Sequence, residues 1–203
     1  MDGSDKAMPV NFAIILAMNP QINTCPMMII RLTDKLSRRI KVRHIEQLDQ
    51  NANPLLDWCA GVFTIGRSSY VMVTNTASLY TTVFCGKGVT NMTVFIDQML
   101  ANLSELLVDD GLGGVYNRQI MPYADTLVFA KTNNRSVTGS MNDLIRMSKF
   151  YLSEHPESLL ELSILINTTP MSYLKWNSPD LAFRALLDDN HPPQQHITEF
   201  GTI

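Results

Sequence analysis

The chain has 203 residues, of which 45% are hydrophobic, and a formal net charge of −3. This length allows one substantial core and favours a single domain over two. The net acidity excludes a protein that coats DNA or an anionic membrane with its whole surface, because that requires a concentrated basic face, although a local basic patch stays open.

The three cysteines are an odd number with no paired spacing, which is not a disulfide framework. We expect Cys25, Cys59 and Cys85 to be small buried side chains in a reducing compartment. The sequence therefore predicts a cytoplasmic protein.

Residues 1–26 differ in composition from the rest of the chain. They start with acidic residues and contain an apolar run, residues 10–18, that is too short to span a bilayer. No small-residue cleavage site follows this run, so it does not resemble a secretory signal. The segment is either a partly ordered arm or an extension upstream of a domain that starts at Met27 or Met28.

The second interpretation is favoured because residues 28–32 have the apolar pattern of a first strand. We predict an N-terminal extension over residues 1–26, a single domain over 27–187 and a flexible tail over 188–203. The prolines, glutamines and histidines of the tail indicate loose order rather than a metal site.

The next segments predict a short helix and then a group of strands. Residues 33–40 mix apolar and basic side chains, which indicates a helix with a basic outer face. Short runs rich in Val, Thr, Tyr and Phe then alternate with turns, a pattern typical of an antiparallel β-meander. The three predicted strands are residues 62–65, 70–73 and 80–84.

The clearest helix follows at residues 92–107. Apolar side chains recur there at intervals of three and four residues, and polar ones lie opposite. We expect this helix to cover the meander and to end at the glycine of residues 109–111. Residues 111–122 are predicted to be a glycine-containing loop with a brief apolar segment.

The second half of the domain is predicted to be mainly helical. Residues 127–129 form a strand, and a helix over 141–152 is predicted to begin with a capping box made by Ser140 and Asp143. Two more helices follow at 158–166 and at 178–187. The fold class is therefore α+β: an antiparallel β-meander covered by amphipathic helices, with a helical C-terminal part.

Three segments resemble one known family. They are residues 58–67, residues 73–75 and residues 129–143, the last containing Lys-Thr-Asn-Asn-Arg-Ser-Val-Thr-Gly-Ser-Met-Asn-Asp. Together they resemble an uncharacterised bacterial domain family, catalogued only as a domain of unknown function, over about residues 28–187. The resemblance implies an α+β domain of bacterial or mobile-element origin and implies no activity.

The polar stretch 131–143 gathers the most hydrogen-bonding side chains in the chain. It lies between a predicted strand and a predicted helix start, where unpaired N–H groups favour an anion. Capping alone accounts for Ser140 and Asp143, whereas Arg135 and Asn134 are harder to explain by structure. The predicted ligand- or partner-binding residues are Arg67, Lys131, Asn134, Arg135, Ser136 and Asn142.

No catalytic residue, cofactor or metal site is predicted. The chain has neither a Walker phosphate loop nor a dinucleotide-binding glycine motif. Its four histidines are scattered, and no local signature marks a serine or cysteine nucleophile. A metal-dependent nuclease needs several converging acids, and only Asp125 and Asp143 lie near the motif.

The leading hypothesis is a bacterial accessory protein that binds a protein partner through residues 131–143. The alternative is a phosphate-ligand or nucleic-acid-binding protein, including a nuclease, if the basic residues share one face. No membrane association is predicted, and the oligomeric state is left open. The basic residues in question are Arg31, Lys35, Arg38, Arg39, Lys41, Arg43, Arg67, Lys131 and Arg135.

Overall fold

The structure is a computed structural model, and it describes residues 27–43, 45–154 and 158–189. Five strands form one mixed sheet in the order β4-β3-β2-β1-β5, and six α-helices accompany it in the described part. The strands are β1 (Ile29–Leu32), β2 (Asp57–Ile65), β3 (Ser68–Asn75), β4 (Thr81–Cys85) and β5 (Val128–Lys131). The helices are α1 (Asp34–Arg39), α2 (Met92–Asp109), α3 (Gly113–Val115), α4 (Arg135–Glu154), α5 (Leu159–Thr168) and α6 (Pro179–Asp189).

The α+β class and the helical C-terminal part are confirmed, but the sheet is not the antiparallel one that the sequence predicts. β3 pairs antiparallel with β2 and with β4, whereas β1 pairs parallel with β2 and with β5. Strand direction depends on the connections between strands and not on the pattern within one strand. The predicted tail starts at residue 188, whereas α6 continues to Asp189. Residues 1–26 and the rest of the predicted tail lie outside the described part.

Side chains alternate between the two faces of the sheet, and each face has its own core. On the first face, Ile30 and Trp58 pack with buried residues of α1, α2 and α6. On the second face, Cys59 and Phe63 pack with buried residues of α4 and α5. Gly61 of β2 lies where α4 approaches closely, because an added Cβ would stand 3.0 Å from Cε of Met141.

Helix α5 covers the free edge of β4. The Thr81 N–H donates to Oδ1 of Asn167 (2.8 Å), and Nδ2 of Asn167 donates to the Thr81 carbonyl (2.9 Å). One turn earlier, the Ser163 hydroxyl accepts from the Val83 N–H (3.0 Å). Outward backbone groups of the edge strand are thus satisfied by helix side chains instead of by another strand.

The predicted helix over residues 92–107 is confirmed as α2, and those over 158–166 and 178–187 as α5 and α6. The predicted loop over residues 111–122 is wrong. Gly111, at φ +74°, follows the end of α2. From residue 113 the chain is helical again, in α3, a π-helix (Tyr116–Ile120) and a 3₁₀ helix (Met121–Thr126). Buried Tyr116 and Ile120 drive this, because they anchor the segment in the first core.

Helix α4 begins six residues earlier than predicted. Asn134 caps it, because its Oδ1 accepts from the N–H groups of Ser136 (2.9 Å) and Val137 (3.2 Å). Ser140 is buried inside the helix and Asp143 is exposed on it, so the predicted capping box is wrong. The polar stretch 131–143 is therefore irregular only at residues 132–134, and the rest is helix.

The prediction for the cysteines holds at one position and fails at another. Cys59 is buried in the second core, whereas Cys85 is exposed at the end of β4. Cys85 is the last residue of the edge strand, where it pairs with Tyr70 and its side chain is exposed. Cys25 lies outside the described residues.

Candidate functional site

A buried ion pair lies on the second face of the sheet, beside the start of α4. Arg31 is 3% exposed and Asp57 is fully buried. The Arg31 guanidinium donates to both carboxylate oxygens of Asp57 at 2.8 Å, which is the bidentate geometry that fixes orientation as well as charge. The two residues stand on adjacent strands β1 and β2 with side chains on the same face.

The connection that precedes β2 crosses over this pair and completes its hydrogen bonds. The guanidinium also donates to the carbonyls of Leu48 (2.9 Å) and Asp49 (2.7 Å), and the Asn51 N–H donates to Oδ2 of Asp57 (2.9 Å). Both charges therefore have several partners, which a buried ion pair needs to offset its loss of hydration. The pair is a rigid, satisfied part of the framework.

A polar pocket of about 260 Å³ opens above the ion pair. Its buried wall includes Thr76, whose hydroxyl donates to the Asp57 carbonyl (3.2 Å). Asn133 lies on its exposed rim and donates through Nδ2 to the Leu48 carbonyl (3.0 Å). The lining residues are Arg31, Gln50, Thr76, Asn133, Asn134 and Arg135.

Two of the six predicted site residues, Asn134 and Arg135, meet in this pocket. Asn134 is occupied by the helix cap. In the described part of the chain the ion pairs are those of Arg31 and Arg146, so the exposed Arg135 guanidinium is not held by a carboxylate. Arg135 is thus the charged group at the rim that is available to a ligand.

The other four predicted residues do not line the pocket. Arg67 lies in the turn between β2 and β3. Asp57 is at the opposite end of β2, about 26 Å away along the strand. Lys131 is exposed at the end of β5, on the side of that strand that carries Phe129 and faces the first core. Ser136 and Asn142 are exposed on α4.

The structure corrects the interpretation of Arg31 as part of a basic surface, because its charge is enclosed and matched by Asp57. Sequence reasoning also missed Gln50, Thr76 and Asn133 as pocket residues. One feature of the sequence indicates the Arg31–Asp57 ion pair. Arg31 lies within an apolar strand, and Asp57 is the first residue of another apolar strand. A charge within a buried strand requires an opposite charge nearby.

Cys59 lies beside the ion pair in the second core. Burial raises the pKa of its thiol to about 12; Arg31 opposes this shift and Asp57 adds to it. The thiol is therefore protonated at neutral pH, which makes it a poor nucleophile. Two tyrosines also have a raised pKa: Tyr80 through burial and then its hydrogen bond to Asp110, and Tyr116 through burial.

Within residues 27–43, 45–154 and 158–189, no three His, Cys, Asp or Glu side chains come together as a metal site. None of the helices in these ranges combines the length and the apolar composition required to cross a bilayer.

Comparison with curated proteins and with solved structures finds no match to the chain. A family model described as "Domain of unknown function (DUF6933)" matches residues 29–182, which run from β1 into α6 and contain the whole sheet and the polar pocket. The chain therefore belongs to the DUF6933 family, which agrees with the resemblance to an uncharacterised domain family in segments 58–67, 73–75 and 129–143.

Proposed function

We propose that this protein acts by binding, and that it recognises a partner polypeptide through the polar pocket at the start of α4. One observation carries the proposal. Among the described residues the Arg135 guanidinium is in no ion pair, and it stands at the rim of a concave polar site whose floor, the Arg31–Asp57 pair, is held rigidly. A rigid floor with an available charge at its edge lets a ligand be bound without reordering the site.

The chemistry of the lining indicates the kind of segment that fits. Guanidinium and amide side chains dominate the rim, and they present N–H donors. A carboxylate accepts two of these bonds from one arginine, and neighbouring backbone carbonyls accept bonds from amides. We therefore infer that the bound segment is extended and carries an acidic side chain that pairs with Arg135.

A phosphate or nucleic-acid ligand is the second candidate. It is favoured by the presence of two guanidinium groups, those of Arg31 and Arg135, around one pocket. Against it, Asn134 already satisfies N–H groups in the first turn of α4, so a phosphate would have to displace the cap. Arg31 also has its charge matched by Asp57, which leaves Arg135 to supply the attraction.

Charge reversal at Arg135 tests the proposal. Tagged protein is recovered from the cells that naturally produce it, and co-purifying proteins are quantified for the unmodified chain and for Arg135→Glu. We expect a partner to be lost with Arg135→Glu. Arg67→Glu is the matched control, because it makes the same charge change on an exposed arginine at the far end of β2.

Equal recovery of all co-purifying proteins with Arg135→Glu would overturn the site. Asn134→Ala is a less useful variant, because loss of the helix cap would also destabilise α4. The second candidate is tested by titrating inorganic phosphate and a short oligonucleotide at low salt. It requires binding that weakens as salt is added and that Arg135→Glu abolishes.

A further inference from the structure

Helix α4 has one buried face, and it carries an exposed aromatic side chain on the opposite face. Phe150 is 77% exposed, whereas the opposite side of the helix is buried against the sheet through residues such as Met141 and Leu144. Phe150 lines a groove of about 500 Å³ between α4 and α5, together with Met147 and with Leu165, which is 44% exposed. Apolar surface of this kind is stabilised when another apolar surface covers it.

Two opposite charges flank Phe150 at equal distances. Arg146 lies one helical turn before it and Glu154 one turn after it, so each lies about 6 Å away along the axis. Both charged residues line the same groove as Phe150. Along α4 this face therefore carries a positive charge (Arg146), an aromatic ring (Phe150) and a negative charge (Glu154) in that order.

This order of charges is complementary to itself. If a second α4 lies antiparallel across the first with the two Phe150 side chains at the centre, Arg146 faces Glu154 of the partner subunit. The same contact is then made on the other side of the two-fold axis, as an isologous interface requires. A parallel arrangement would instead bring like charges together, which is unfavourable.

The contacts of Arg146 and Glu154 within the chain leave both side chains able to form this pair. Arg146 donates to Oδ1 of Asp143 (2.5 Å), but both side chains are exposed and the guanidinium has other N–H groups. Among the described residues Glu154 is in no ion pair. An acidic group placed next to Arg146 therefore adds to its hydrogen bonds without displacing Asp143.

We propose that the groove around Phe150 binds a second copy of this chain, forming an antiparallel α4–α4 dimer with Arg146 paired to Glu154 of the partner subunit. The dimer face lies on the later turns of α4, whereas the polar pocket lies at its first residue. The dimer therefore does not depend on the function proposed for the pocket.

Sedimentation velocity on the full chain over a range of concentrations tests the dimer. The expected species has twice the monomer mass of 22.8 kDa. Phe150→Ala should give a monomer that melts within error of the unmodified monomer, because the side chain is exposed in the single chain. Val108→Ala is the control, since Val108 is 60% exposed on α2 and should leave the dimer intact.

Charge reversals test the proposed ion pair between the two copies most directly. Arg146→Glu and Glu154→Arg should each weaken the dimer by more than about tenfold, because each places like charges together in the homodimer. An equimolar mixture of the two variants should form dimers again, since every contact in the mixed dimer joins opposite charges. The double variant within one chain should also dimerise.

Three results would overturn the proposal. They are an unmodified chain that is monomeric at every concentration, a dimer that survives Phe150→Ala, and a mixture of the two charge variants that stays monomeric. A monomeric chain that loses thermal stability on Phe150→Ala would indicate that another segment of the same chain fills the groove, which also overturns it.

Discussion

Two Arg–Asp pairs occur in the described residues, and they lie in opposite environments. In the pair between Arg31 and Asp57 both side chains are almost completely enclosed, whereas those of Arg146 and Asp143 are 78% and 50% exposed. The buried pair joins two strands that are far apart in the chain, and the exposed pair joins neighbouring turns of α4. The same chemistry therefore has two different consequences.

The difference follows from solvation. At the surface, water and salt screen the attraction, and each ion remains hydrated if the other is removed. In the interior, each ion has lost its hydration and depends on its partner. The buried pair therefore holds β1, β2 and the connection before β2 in one arrangement, and the exposed pair leaves α4 free to use its arginine elsewhere.

Removal of the buried carboxylate should have the largest effect. Asp57→Ala leaves the Arg31 charge enclosed without a counterion, so we expect the free energy of unfolding to fall by about 3–5 kcal/mol. Denaturant unfolding followed by circular dichroism measures this change. The double variant Arg31→Met/Asp57→Leu should cost clearly less; an equal cost would show that packing rather than charge explains the loss.

Alkaline pH should weaken the same region through Cys59. The thiol pKa is raised by burial from 9.0 to about 12, so the folded state keeps a proton that the unfolded state releases. The contribution of Cys59 is fully present below pH 9 and is lost as pH rises from 9 to 12, at up to about 1.4 kcal/mol per pH unit. Cys59→Ala should flatten the pH dependence of stability in this window; an unchanged slope would contradict the assignment.

Loss of the cap of α4 should have a moderate effect. Asn134→Ala removes the acceptor for two N–H groups, so we expect a loss of about 1 kcal/mol in the free energy of unfolding. Asn134→Asp retains the acceptor and serves as the control in the same unfolding measurement. If Ser140→Ala proved more costly than Asn134→Ala, the position of the helix start would be wrong.

The exposed pair should contribute least. Asp143→Ala removes an ion pair between two solvent-exposed side chains one turn apart, and we expect a change of about 0–0.5 kcal/mol. The measurement is the same unfolding experiment at low and high salt. A loss as large as that of Asp57→Ala would show that exposure is not what separates the two pairs.

Local periodicity was sufficient to predict most helices. Helix α2 was predictable because residues 92–107 repeat their apolar side chains at helical spacing and end at Gly111. Helix α4 was harder because Gly139 and Ser140 resemble a helix start. Gly139 is instead tolerated inside the helix, where an added Cβ would meet nothing within 4 Å, and Asn134 accepts the capping bonds.

The polar pocket could be predicted only in part, because its members come from four separate segments. Asn134 and Arg135 belong to one polar stretch, which makes them predictable from the sequence, whereas Gln50 and Thr76 become their neighbours only through strand order. The parallel pairings of β1 decide that order, and the pairing with β5 joins residues about a hundred positions apart, such as Ile29 and Val128. No pattern within a short segment contains this information.

The side-chain amide of Asn167 makes the hydrogen bonds of a backbone peptide group at the β4 edge of the sheet. Its amide offers Thr81 one donor and one acceptor, as the backbone of an adjoining strand would. β-Augmentation by a foreign peptide at this position would require α5 to be lifted away and both bonds to be exchanged. Asn167→Leu would leave the N–H and the carbonyl of Thr81 without partners beneath α5, while Ser163 would still accept from Val83. The strand edge is therefore protected by the helix as a whole, and Asn167 matches its hydrogen bonds at one residue.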